Sequence, residues 1–170
     1  MKYLVSILTI GSLTACGPIQ FNPKAYSIIE GEISPLILRG KAKVINSQPS
    51  IDQLIIRDVG GTQLLSTLNA LTDSMVQQTQ DEISLRSTST IGVQVKIIEI
   101  KIDSLLSTTP FLTYHSISTL NFVAILGNGK SVSFTTKHSA WSPTEDLNGC
   151  IHKGVVQLLS NQEVREYLAE

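Results

Sequence analysis

The chain has 170 residues, of which 42% are hydrophobic and 16% charged, and this composition argues against an intrinsically disordered protein. Its 13 Lys and Arg residues balance 14 Asp and Glu residues, so the chain lacks the concentrated positive charge that a nucleic-acid-binding protein needs. Two Cys and three His are too few for a disulfide scaffold or a Cys/His zinc framework. The length is typical of one domain.

The first residues have the pattern of a secretory signal peptide. A start that contains Lys2 is followed by a short, mostly apolar segment, residues 4–15. As a helix this segment would be about 18 Å long, too short to cross a hydrocarbon core of about 30 Å. The segment therefore fits the apolar core of a signal peptide. The alternative is a buried N-terminal helix that ends at Gly17-Pro18 and contains an ordinary cysteine.

The four residues Leu13-Thr14-Ala15-Cys16 resemble the lipobox of bacterial lipoproteins. The resemblance implies cleavage before Cys16, a thioether-linked lipid on its sulfur and acyl chains such as palmitate. Gly17 rather than an aspartate follows, which by resemblance to lipoprotein sorting favours the periplasmic face of the outer membrane over inner-membrane retention. Two or three acyl chains anchor a protein stably, since each buried methylene contributes about 0.8 kcal/mol. We therefore expect residues 1–15 to be a signal peptide and Cys16 to be lipidated.

Residues 16–35 are predicted to be the lipidated N-terminus and a tether, and residues 36–170 a single periplasmic domain. Half of the six prolines lie in the tether, where they disfavour helix and strand. Apolar residues such as Phe21 and Ile28 predict that part of the tether packs against the domain.

The first half of the domain is predicted to contain two strands and a helix. The strands cover residues 41–46 and 51–58, and Gly60-Gly61-Thr62 then breaks the chain. Residues 63–80 carry Leu and Met at three- and four-residue spacing, which predicts an amphipathic helix. A glycine turn before a helix could bind an anion through free backbone N–H groups, but a plain helix start is the alternative.

The middle of the chain has the alternating pattern of β-strands. Residues 91–102 predict a strand, and its alternation changes phase between Ile97 and Ile98. A β-bulge at that point, or a strand buried on both faces, would explain the change. Asn128-Gly129 predicts a two-residue type I′ turn and therefore an antiparallel hairpin. The pattern predicts three further segments: a loop at 103–110, a strand at 112–126 and a strand at 131–139.

Ser142-Pro143-Thr144-Glu145 predicts the start of a second main helix, with Ser142 as the cap and Glu145 completing a capping box. An apolar stripe follows, and Gly154 lies on it, where close packing against the sheet would explain a glycine. A short last helix is expected to bury Val164, Tyr167 and Leu168. These elements predict an α+β fold: a mixed or antiparallel β-sheet with a long hairpin in its C-terminal half and two main helices packed on one face.

No catalytic, metal-binding or cofactor-binding motif is visible in the sequence. His115, His138 and His152 are scattered and form no zinc motif, and no nucleophile elbow occurs. Cys150, near His152 and a helix start, could be a reactive thiol. Its place in the apolar stripe favours a buried structural cysteine. We therefore expect a protein that is not an enzyme and needs no cofactor.

The segment Gly92-Val93-Gln94-Val95-Lys96-Ile97-Ile98, the Asn128-Gly129 hairpin and the end helix with residues 161–168 resemble the YajG-type family of small bacterial lipoproteins. The resemblance covers most of residues 41–168. The function of this family is largely undefined, and the resemblance implies no catalytic residues.

We therefore expect a non-enzymatic lipoprotein of the cell envelope with a protein-interaction or assembly role. Its partners would be membrane lipid, through Cys16, and another envelope protein. One alternative is an accessory subunit of a lipid or lipopolysaccharide transport or secretion machine, for which a large exposed apolar patch would be the sign. A second is an envelope hydrolase, for which the sign would be His115 or His138 within hydrogen-bond reach of a serine in a concave pocket.

Overall fold

A computed structural model describes residues 17–59, 62–90, 92–109 and 115–170. The predicted signal peptide and Cys16 lie outside the described residues, as do Gly60 and Gly61. The described strands and helices follow in this order: β1 (Ile19–Gln20), β2 (Leu36–Leu38), β3 (Lys41–Asn46), β4 (Gln53–Val59), β5 (Thr62–Thr67), α1 (Leu68–Arg86), β6 (Ser87–Thr90), β7 (Val95–Thr108), β8 (Ser116–Leu126), β9 (Ser131–Ala140), α2 (Pro143–Ser160) and α3 (Gln162–Ala169).

A four-stranded sheet with the order β3-β7-β8-β9 forms the centre of the fold. β3 pairs with β7 in parallel, and the other two pairs are antiparallel, so the sheet is mixed, one of the two arrangements predicted. α1 and α2 contact each other; α1 packs on β3 and β7, and α2 packs on β8 and β9. The predicted α+β fold is confirmed. Even-numbered residues of β8, including Phe122, Ala124 and Leu126, face the helices and are buried.

The N-terminal arm, residues 19–35, packs on this domain. β1 joins β5 and β4 in a three-stranded sheet, and β2, which directly follows the arm, pairs with β6. Phe21, Ile28 and Ile33 are buried in the same core as the central sheet and the helices. The apolar residues of the arm thus lose their contact with water, as their composition predicts.

The first helix begins later than its spacing predicts. Residues 62–67 form β5, antiparallel to β4, and α1 begins at Leu68 with Thr67 as its cap. Pairing with both β1 and β4 supplies backbone hydrogen bonds to these residues, and such tertiary contacts override the local pattern. Because Thr62 begins a strand, no helix N-terminus follows Gly60-Gly61, and the anion-binding interpretation loses its basis.

The phase change in β7 reflects apolar residues on both faces of a regular strand, because its register with β3 is continuous from Val95 to Ile100. Ile98, Ile100 and Ile102 are buried, whereas Val95 is exposed on the opposite face. The register with β8 shifts between Ile102 and Ser104, so the bulge lies at Asp103 rather than at Ile97-Ile98. The strand continues to Thr108, and most of the predicted loop at 103–110 is therefore strand.

The predicted antiparallel hairpin of β8 and β9 is confirmed, but its turn differs. The Leu126 amide donates to the Lys130 carbonyl at 2.8 Å, and the Gly129 amide donates to the Leu126 carbonyl at 2.8 Å. Gly129 has a φ of 85°, whereas Asn128 keeps a negative φ. A three-residue loop with a left-handed glycine thus replaces the predicted type I′ turn, which needs positive φ at both residues.

The second main helix starts at the predicted residue, and its predicted stripe is buried. The Ser142 hydroxyl contacts the Thr144 hydroxyl at 2.7 Å and caps no backbone amide, so the predicted capping box is not formed. A Cβ on Gly154 would lie 2.8 Å from Met75 Cε and 3.2 Å from the Phe122 ring, which confirms the predicted close packing. The short helix α3 follows, and its buried residues are those predicted: Val164, Tyr167 and Leu168.

Candidate functional site

The fold brings together two of the three histidines that are scattered in sequence. His138 on β9 and His152 on α2 line one cavity of about 430 Å³, together with Tyr26 and Glu32 of the arm. His115 lies elsewhere and packs against Trp141, with the ring centroids 4.1 Å apart and the ring planes tilted by 37°. The cavity at His138 and His152 is the candidate functional site.

His138 is paired with a fully buried carboxylate. Its Nδ1 lies 3.4 Å from Asp146 Oδ1, and the Ser118 hydroxyl donates to Asp146 Oδ2 at 2.6 Å. Ser118 lies directly opposite His138 in the hairpin register, so both side chains reach the first turn of α2. Partial positive charge at a helix N-terminus favours a carboxylate there. These residues therefore form a polar connection between the sheet and α2.

Cys150 is a buried part of this polar connection rather than a reactive thiol. It is fully buried, and its Sγ donates to the Ser118 carbonyl at 3.1 Å. Burial first, and then the charge of Asp146, raise the pKa of the thiol from 9.0 to about 11. A thiol that stays protonated is a poor nucleophile, which supports the interpretation of Cys150 as a structural cysteine.

His152 contacts the arm rather than Cys150. Its Nε2 lies 3.2 Å from Glu32 Oε2, which also accepts a hydrogen bond from the Ile29 amide at 3.0 Å. The cavity therefore contains two imidazoles, each beside a carboxylate, and one of these pairs joins α2 to the arm. Among the described residues, no group of three or more His, Cys, Asp or Glu could hold a metal ion.

The hydrolase alternative calls for an imidazole hydrogen-bonded to a serine. Within the described ranges, the ion-pair partner of His138 is Asp146, and the aromatic partner of His115 is Trp141. Asp146, Ser118 and Glu32 are residues that the sequence did not single out. The sequence contains one weak signal for this site. Ser116 and Ser118 occupy positions on the helix-facing side of β8 where apolar residues are expected, which indicates a polar neighbour.

The sheet face turned away from α1 and α2 carries exposed apolar residues among polar ones. Leu106 and Ile125 are exposed. Ile125 lies between Glu99 and Ser131 in the sheet register. The apolar residues are thus separated by polar side chains.

A scan against protein-family models finds no match for this chain, and a search of curated proteins finds none either. The resemblance to YajG-type lipoproteins therefore stays a prediction. In the part of the chain that the structure describes, no helix is both long and apolar enough to cross a membrane.

Proposed function

We propose that this protein is a lipoprotein of the bacterial cell envelope, held by acylated Cys16 on the periplasmic face of the outer membrane. The observation that carries the proposal is Leu13-Thr14-Ala15-Cys16 at the end of a short apolar segment that follows a charged start. Stable anchoring by several acyl chains on one residue needs no membrane-spanning segment.

The second part of the proposal is that the domain binds another envelope protein rather than catalysing a reaction. Two observations support it. Cys150, which the sequence left open as a reactive thiol, is fully buried, and burial raises the pKa of its thiol. On the open sheet face, the apolar side chains of Leu106 and Ile125 are exposed, and a bound partner would remove them from water.

Mass spectrometry and fractionation of the native protein test the anchor. We expect the wild-type chain to begin at Cys16 with added acyl mass and to sediment with membranes, whereas Cys16→Ser should lose both properties. Cys150→Ala is the matched control, because it removes the other cysteine and should leave the protein on the membrane. A native chain that begins at Met1 and carries no acyl mass would contradict the proposal.

Crosslinking in detergent-solubilised envelopes tests the binding role. We expect a defined crosslinked species for the wild type, and its loss in Ile125→Lys, which places a charge on the open sheet face. Ile51→Lys is the matched control, since Ile51 is 77% exposed and precedes β4, outside the four-stranded sheet. Equal crosslinking by all three proteins would argue against binding through this face.

A further inference from the structure

The arm leaves almost no free chain between the predicted lipidation site and the folded domain. Ile19 and Gln20 pair with Leu64 and Leu65 of β5, and the Phe21 amide donates to the Leu65 carbonyl at 2.7 Å. Only Gly17 and Pro18 separate β1 from Cys16, which corresponds to a reach of about 10 Å. If Cys16 is acylated, the domain starts at the surface of the bilayer.

The path of the arm shows which end of the domain lies nearest to Cys16. The Lys24 amide donates to Asn148 Oδ1 in the first half of α2 at 3.0 Å. Glu32 contacts His152 further along α2, and the Pro35 carbonyl accepts from Arg165 of α3. The arm thus runs along α2 from its beginning toward its end, and Ile19 lies at the N-terminal end of this helix. Ile19 and Thr144 accordingly line one cavity of about 450 Å³.

This end of the domain exposes side chains that suit a lipid interface. Trp141, separated from α2 only by Ser142, is 69% exposed, and Ile19 is 54% exposed. Tryptophan is enriched where membrane and water meet, because its ring is apolar and its N–H can contact polar groups. We infer that the end of the domain carrying Ile19 and Trp141 lies on the bilayer that holds Cys16, with Trp141 in the interface. This inference rests on the proposed acylation of Cys16.

Trp141 is the only tryptophan of the chain, so its fluorescence reports the contact directly. The acylated protein, which begins at Cys16, is reconstituted into vesicles of phosphatidylethanolamine and phosphatidylglycerol, with and without brominated acyl chains that quench nearby tryptophan. We expect the emission of Trp141 to be blue-shifted relative to that of the Cys16→Ser variant in buffer without detergent. We also expect the emission to be weaker in the brominated vesicles than in the unbrominated ones.

A second tryptophan position provides the matched control. Ile51 precedes β4 beyond the end of β5 that lies farther from Ile19, because Gln53 pairs with Thr67 whereas Ile19 pairs with Leu64. In Ile51→Trp combined with Trp141→Phe, we expect bromine to leave the emission unchanged. Equal quenching at both positions would overturn the orientation.

The failure of this inference is distinct from the failure of the proposed anchor. Acyl mass on Cys16 together with unquenched Trp141 would overturn the orientation and leave the anchor intact. Absence of acyl mass on Cys16 would overturn both. Circular dichroism of each variant checks that a lost signal does not come from unfolding.

Discussion

The absence of a side chain at Gly149 allows α2 to lie close to the His138 ring of the sheet. A Cβ at Gly149 would lie 2.5 Å from atoms of the His138 ring, closer than any ordinary contact. The same ring lies beside the buried Asp146, with Nδ1 3.4 Å from Asp146 Oδ1, so a shift of the ring would change this contact.

We predict that Gly149→Ala destabilises the protein by about 1–3 kcal/mol, the usual cost of overpacking a filled site. In a His138→Ala background the same change should be neutral or stabilising, since alanine is favoured over glycine in helices by about 1 kcal/mol. Denaturant unfolding of the four proteins measures the coupling. If Gly149→Ala destabilises wild type and His138→Ala equally, the His138 ring is not the reason for a glycine at this position.

The raised pKa of the Cys150 thiol predicts that the protein loses stability at alkaline pH. Its pKa is about 11 in the folded protein against 9.0 for an ordinary thiol, so the folded state holds this proton more tightly. The resulting stabilisation is complete below pH 9 and is lost as the pH rises through 11. We expect the unfolding free energy of wild type to fall toward that of Cys150→Ala between pH 9 and 11.

Alkylation gives an independent measure of the same thiol. Peptide mass spectrometry should show slow modification of Cys150 at pH 9 in the native protein and fast modification after unfolding. Rapid alkylation in the native state would contradict the burial of the thiol.

At the scale of elements, side chains of the helices hold much of the arm. Arg86 of α1 donates to the carbonyls of Ile28 at 3.0 Å and Ile33 at 3.2 Å, and it also contacts Glu82 at 2.6 Å. Arg165 of α3 donates to the Pro35 carbonyl at 2.7 Å. Hydrogen bonds from charged groups are stronger than neutral ones, which compensates for the few strand pairings of the arm.

We predict that Arg86→Leu loosens the arm and costs about 1.5–3 kcal/mol, since it removes hydrogen bonds from a charged group and leaves Glu82 unpaired. Hydrogen exchange should show lost protection around residues 28–33 and little change in β7 and β8. Arg39→Leu is the matched control, because Arg39 is exposed. Unchanged protection of the arm would show that its buried apolar residues suffice to hold it.

At the scale of the whole molecule, the arm, the sheet and the helices share one core. Ile33 of the arm belongs to the same buried cluster as Met75 of α1, Phe122 of β8 and Leu158 of α2. Burial of apolar surface is the main favourable term in folding, so the arm contributes to the stability of the domain. The predicted anchor at Cys16 is therefore attached almost directly to the core.

Local patterns alone predicted the α+β class, the β8–β9 hairpin and the buried stripe of α2. Each depends on periodicity or turn chemistry within a short stretch of chain, which the sequence displays directly. The lipobox resemblance at Cys16 likewise depends only on neighbouring residues.

Tertiary contacts decided the remaining features. Residues 62–67 became a strand because β1 and β4 pair with them, and Asp103 carries the bulge because β8 sets the register. The pairing of Glu32 with His152 joins residues far apart in the chain. No local pattern encodes such a contact, because it exists only once the arm has packed along α2.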